Sequence, residues 1–225
     1  LLALACLPLK EVRLGAVLAL ASFKPHFGVV MPLWLILRRS WVAVLAASVF
    51  TVALVGLSVY AYGPEIWEDY LGSLQAASDR LTDFKVVRPS TMISTYAAVR
   101  QFGFTPVEAL VAQGGIALLA LWGLVSCARL SIDPQKPLAA ALLAALLIVP
   151  HGYAYDLVLL LVPVLVMLKS ASEHGWGLRD AEVILPLYLA PFYVPQLNLA
   201  TGLPVVPLLL LWALYHLVQL SKRRD

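Results

Sequence analysis

Residues 41–62 read WVAVLAASVFTVALVGLSVYAY, and residues 107–128 read VEALVAQGGIALLALWGLVSCA. The first stretch carries no charged side chain and the second only Glu108. About 20 apolar residues, rising 1.5 Å each in a helix, match the roughly 30 Å hydrocarbon core of a bilayer. The whole chain agrees: 61% of its 225 residues are hydrophobic and 13% are charged. A soluble domain carries about 25% charged residues. Half that share leaves too little polar surface to keep a globule of this size dissolved. Lipid offers the backbone no hydrogen bonds, so the spanning segments must be helical. The expected fold is therefore all-α, a polytopic membrane protein and a single membrane domain over residues 1–225.

Working outward, residues 1–9 read as the tail of a preceding span. The chain opens at Leu1 inside an apolar run, with no initiator Met and no signal-peptide start, and is read as N-terminally truncated. Residues 14–23 and 27–37 are two apolar arms separated by Lys24-Pro25-His26. Each is about half a span long. They form either one broken span or a re-entrant hairpin. Short loops rich in Lys and Arg stay cytoplasmic. Lys10 and Arg13 flank one end and Arg38 and Arg39 the other, which favours the hairpin. Residues 41–62 then cross outward to an aromatic belt at Tyr60 and Tyr62, and residues 107–128 return. Residues 138–149 and 157–168 repeat the half-length pattern around the linker 150–156. Residues 183–200 and 203–220 complete the set, giving six to eight spanning or half-spanning helices and two re-entrant hairpins.

The one long polar segment, residues 63–105, falls outside in this topology. Gly63-Pro64-Glu65 is a good helix start, with Pro at the first position and an acid in the first turn. A second helix is expected from Ser90 or Thr91 to Gly103. Both are read as interfacial helices, apolar face down, roofing whatever opens outward.

Composition also excludes functions. A net charge of +3 is small for a nucleic-acid binder, and no nucleic-acid partner is expected. Cys6 and Cys127 offer neither a disulfide framework nor a metal spacing. No phosphate-binding glycine loop or serine nucleophile motif is present. No metal and no cofactor is expected. The partners left are membrane lipids and substrates arriving from lipid or from the outer face.

An ionisable residue at membrane depth costs about 2.5–3.5 kcal/mol on insertion scales. Lys24 and His26 flank Pro25, which suits the first position of a helix. That leaves the amides of His26, Phe27 and Gly28 at a positive helix end beside a lysine, the makings of an anion site. The alternative is a Lys24 that snorkels to an interface or pairs with an acid. In the linker 150–156, His151 has the chemistry to donate to an oxygen or to move a proton. Tyr153 and Tyr155 supply flat faces and hydroxyls. Asp156 sits where an N-cap of the next helix belongs, worth about 1 kcal/mol, and capping competes with any catalytic role. Outside, Arg88 beside Pro89 is the best placed of the loop charges for phosphate or sugar contact. Asp180 and Glu182 are helix-start acids needing no further role.

Three of these stretches, in order, resemble glycosyltransferase family 87 of the C-type membrane superfamily. Phe23-Lys24-Pro25-His26, its apolar arm and Arg38-Arg39 resemble the family's K-P hairpin. Arg88-Pro89-Ser90, with Arg100 and Gly103, resembles the segment before the next span. Residues 150–160, PHGYAYDLVLL, resemble its P-H-x-Y-x-Y-D-L-x-L-L stretch. The resemblance implies an inverting enzyme of the cell membrane that takes a sugar, mannose in this reading, from a polyprenyl phosphate donor at the extracytoplasmic face. The acceptor would be a lipid or glycan. It further implies that Lys24 and its helix start grip the carrier phosphate, that His151 contacts donor phosphate or acceptor sugar, and that Arg88 assists. The family's catalytic acid lies in the first external loop, upstream of this chain's first residue, and Asp156 does not replace it.

A secondary transporter or flippase is the competing class, because two interrupted apolar segments in corresponding halves also mark transporter sites. Hairpins with both ends inside, under an amphipathic roof, favour the enzyme.

Overall fold

A computed structural model describes residues 9–21, 24–82, 92–177, 179–201 and 205–222. It is helical throughout, with a single isolated bridge between Met92 and Tyr153 and no strand among the described residues. Two compact units divide the chain, at 1–87 and 88–225.

The first unit contains α1 (Leu9–Leu20), α2 (Pro25–Leu37), α3 (Trp41–Tyr62) and α4 (Glu65–Thr82). Gly15 lets α1 lie against α3: a Cβ there would fall 2.6 Å from the Ala43 oxygen and 2.7 Å from the Ala47 nitrogen. Ala43 and Ala46 are correspondingly buried. Small residues at such a crossing bring two backbones into contact where lipid provides no hydrophobic drive. Five residues on, Leu20 borders the same groove as Thr51 to Ser58, so α1 and α3 run parallel. Arg39 closes α2 in the left-handed region at φ 57, and the Arg38 guanidinium lies 4.9 Å above the buried Trp34 ring. Helix α4 follows α3 through Gly63, φ 84, and the Trp67 indole donates back to Ser58 Oγ at 3.1 Å.

The second unit contains α5 (Thr95–Gln101), α6 (Pro106–Leu130), α7 (Gln135–Ile148), a 3-10 turn (Ala154–Leu160), α8 (Leu161–His174), α9 (Asp180–Thr201) and α10 (Val205–Lys222). Thr105 and Glu108 form a capping box at the start of α6, as Thr-Pro-x-Glu dictates. Helix α7 is the heart of the unit, packed against α6, α8 and α10 with its alanines fully enclosed.

Four helical rods among the described residues are long and apolar enough to cross a membrane: Trp41–Tyr62, Pro106–Leu130, Ala154–His174 and Val205–Lys222. Mean hydropathy tracks exposure. It is 2.4 for the almost wholly exposed α3 and 1.4 for the mostly enclosed α10, because a face against protein tolerates polar groups that a face against lipid does not.

Three expectations change. The arm expected at 157–168 is part of a rod of 21 residues, Ala154–His174. Lys169 does not end it, because its ammonium reaches Gln135 and Glu173 at the helix surface. The second loop helix is the seven-residue α5, starting at its Ser94 cap. It is not an interfacial helix: Met92, Ile93, Tyr96, Ala97 and Ala98 are buried in protein. Thr91 and the residues before it, back to Asp83, lie outside the described residues. Finally, Asp180 has a partner, the His216 imidazole at 2.9 Å, both side chains being buried.

Candidate functional site

Helix α7 must stop before Pro150, which has no amide to donate and restricts the residue before it. Val149 accordingly turns extended. The carbonyls at the end of α7 then need partners. Gln113, buried on α6, supplies them: its Nε2 donates to the Leu147 oxygen at 2.7 Å and the Ile148 oxygen at 3.0 Å. Its Oε1 accepts from the Tyr96 amide at 3.0 Å, which satisfies a donor at the start of α5.

The next residues are fastened to the same segment. Ser94 Oγ donates to the Pro150 oxygen at 2.6 Å while accepting from the Ala97 amide at 3.2 Å. The Ile93 amide donates to the Gly152 oxygen at 2.9 Å. Gly152 suits that approach, since a Cβ there would stand 3.0 Å from Ile93 Cγ1 and the isoleucine would have to shift. A loop held at both ends in this way presents His151 in a fixed pose.

The His151 ring meets Tyr96 edge to face, with centroids 6.3 Å apart. Its Nδ1 is buried and makes no hydrogen bond to the described residues. Burial lowers its pKa from the usual imidazole value, against a smaller opposing effect of the Pro150 backbone, so the ring is neutral at physiological pH. A neutral imidazole offers one donor and one acceptor.

Tyr153 and Tyr155 stack in parallel, centroids 5.5 Å apart and planes 8° from coplanar, with Tyr155 largely exposed. Asp156 Oδ2 accepts from the Tyr153 amide at 3.2 Å. The carboxylate thus caps the helix start, but from the third helical position and not from the N-cap itself, which is Tyr153.

Lys24 belongs to the first unit. It is the half-buried N-cap of α2, with Pro25 at the first turn as the sequence requires. The backbone of His26 lies in that first turn; its side chain is not described, and Arg88 lies outside the described residues. Sequence reasoning missed Ser94, Tyr96 and Gln113. Only Gln113 left a signal, as an amide in the middle of an apolar span.

Long apolar helices, with a fastened loop of histidine and tyrosines in the second unit, define a helical membrane protein. Within that class, residues 1–163 match the profile of glycosyltransferase family 87, more than half of the chain. The chain belongs to this family and is a membrane glycosyltransferase. No curated protein and no solved structure matches it.

Proposed function

We propose that this protein transfers a sugar, mannose, from a polyprenyl phosphate carrier to a lipid or glycan acceptor at the extracytoplasmic face of the cell membrane. The whole chain acts as one membrane domain. The observation that carries the proposal is His151: a neutral imidazole with an unengaged, buried Nδ1, on a loop fixed at both ends beside a tyrosine stack. That combination suits a polar oxygen of donor or acceptor held against an aromatic face.

Lys24 and the start of α2 hold the carrier phosphate. Negative charge grows on the leaving phosphate during transfer, so a fixed ammonium and a helix N-terminus stabilise the transition state more than the ground state. Tyr153 and Tyr155 orient the sugar, His26 lines the same phosphate site, and Arg88 assists from the external segment. Displacement is in one step with inversion, a carboxylate acting as general base on the acceptor hydroxyl. That base is the acid of the family's first external loop, and Asp156 belongs to the substrate site, where its Oδ2 accepts from the Tyr153 amide.

The test is transfer from a radiolabelled polyprenyl phosphate mannose by the full-length protein in proteoliposomes. His151→Ala and Lys24→Ala are each expected to lower kcat/KM by about two orders of magnitude, the loss of one preorganised electrostatic contact. Normal transfer by Lys24→Ala removes that residue from the site. Substrate flux without transfer overturns the enzyme reading.

A further inference from the structure

A second set of polar groups converges at the other end of the second unit. Helix α7 runs from Gln135 there to Ile148 beside the His151 loop, a separation of roughly 20 Å at 1.5 Å per residue. At this far end the Lys136 ammonium, buried, donates to the Leu220 oxygen at 3.3 Å. The Asp180–His216 pair is buried beside it, and the Gly177 amide donates to Asp180 Oδ2 at 2.6 Å.

That pair forms part of the wall of a cavity of about 230 Å³, lined also by Arg179, Trp212, Tyr215 and Gln219. Asp180 is buried in the cavity wall, its Oδ2 accepting from the Gly177 amide and its Oδ1 lying 2.9 Å from His216 Nε2. The exposed charge at the mouth is positive. It is Arg179, which is exposed and forms no ion pair with the described residues.

The cavity ends a stripe on α10. Leu208, Trp212 and Tyr215 are exposed and Gln219 is half-buried, at spacings that place all four on one helical face. The residues around them on α10 are mostly enclosed. Along this line the chemistry changes from alkyl, to indole and phenol, to amide and guanidinium. Trp and Tyr favour the depth at which bilayer chains meet head groups.

We propose that this cavity binds the head group of an anionic glycerophospholipid, its phosphate on Arg179 and Gln219, with an acyl chain laid along Leu208 and Trp212. The volume corresponds to roughly eight waters, room for a phosphate ester and its glycerol. A choline head group would bring a quaternary cation against Arg179. Basic pockets between membrane helices recognise lipid head groups in this manner. The site is independent of sugar transfer.

The experiment is native mass spectrometry of the full chain purified in detergent, with phosphatidylglycerol and phosphatidylcholine of the same acyl composition. Phosphatidylglycerol is expected to bind about tenfold tighter than phosphatidylcholine, the value of one charge-assisted hydrogen bond. Arg179→Ala and Gln219→Leu are each expected to abolish that preference. Both leave the Asp180–His216 pair in place, and unchanged circular dichroism accompanies the expected result. Equal binding of the two lipids overturns the proposal, as does wild-type retention by Arg179→Ala. Glycerol 1-phosphate, which has no tails, is the third probe. If it binds as tightly as the lipid, the cavity is a site for a free anion and the lipid assignment falls.

Discussion

Replacing Gln113 by Leu tests whether the His151 loop is fastened as described. The side chain is buried and makes three hydrogen bonds, to the oxygens of Leu147 and Ile148 and from the amide of Tyr96. Leucine keeps most of the volume and none of the polarity, so packing changes little and three backbone groups are left without their partner. At a net value of about 1 kcal/mol for each bond, the loss is about 3 kcal/mol. It falls on the junction of α5 with the end of α7 and not on the whole fold. Local opening is read by amide hydrogen exchange. With 1.36 kcal/mol per factor of ten, exchange at Tyr96 and across residues 149–153 should accelerate roughly 150-fold. The distant amides of α8 should be unaffected. Acceleration below about fivefold at Tyr96 would refute the claim that this amide holds the loop, because even one net hydrogen bond is worth that much.

Other perturbations address the packing and the protonation state. Gly15→Leu places a branched side chain where a Cβ already falls within 2.6 Å of the Ala43 backbone oxygen and the Ala46 Cβ. Overpacking of this kind costs about 1–3 kcal/mol, and disulfide trapping between cysteines placed on α1 and α3 should fail in the variant. Cys127 is a buried, free thiol; in a Cys6→Ser background it should resist maleimide in the folded protein and label promptly in denaturant. His151 has a pKa lowered by burial in the folded state, so the unfolded loop binds the proton more readily. Stability from this group is complete above about pH 6.5, the unfolded value, and is lost as the pH falls below it. Exchange across residues 149–153, corrected for intrinsic rate, should rise on acidification and should not in His151→Phe.

Much of the fold can be read from the chain because lipid sets strict terms. The uncharged run at 41–62 is α3 residue for residue, and Lys24-Pro25 does open a helix. Lys169 misled because a lysine on the surface of a long helix looks, in sequence, like the end of a short one. Segment 92–101 misled for a different reason. An apolar helical face is the same pattern whether it lies on lipid or on protein, and here Ser94 and Gln113 choose protein. The linker 150–156 stands out in the sequence as a candidate site, since a histidine and two tyrosines interrupt an apolar run. What holds it was not, because its fasteners lie at sequence separations such as 34 and 56 residues. The Asp180–His216 pair was hidden likewise: each residue is ordinary alone.

The fastening of the His151 loop also carries a timetable. Ser94 and Gln113 are synthesised before Leu147 and Pro150, so the later side of the junction closes onto segments already made. Closing a free loop of 34 residues, the separation of Gln113 from Leu147, would cost about 3 kcal/mol in chain entropy. Helices α6 and α7 remove most of that cost by stiffening the path between the two ends.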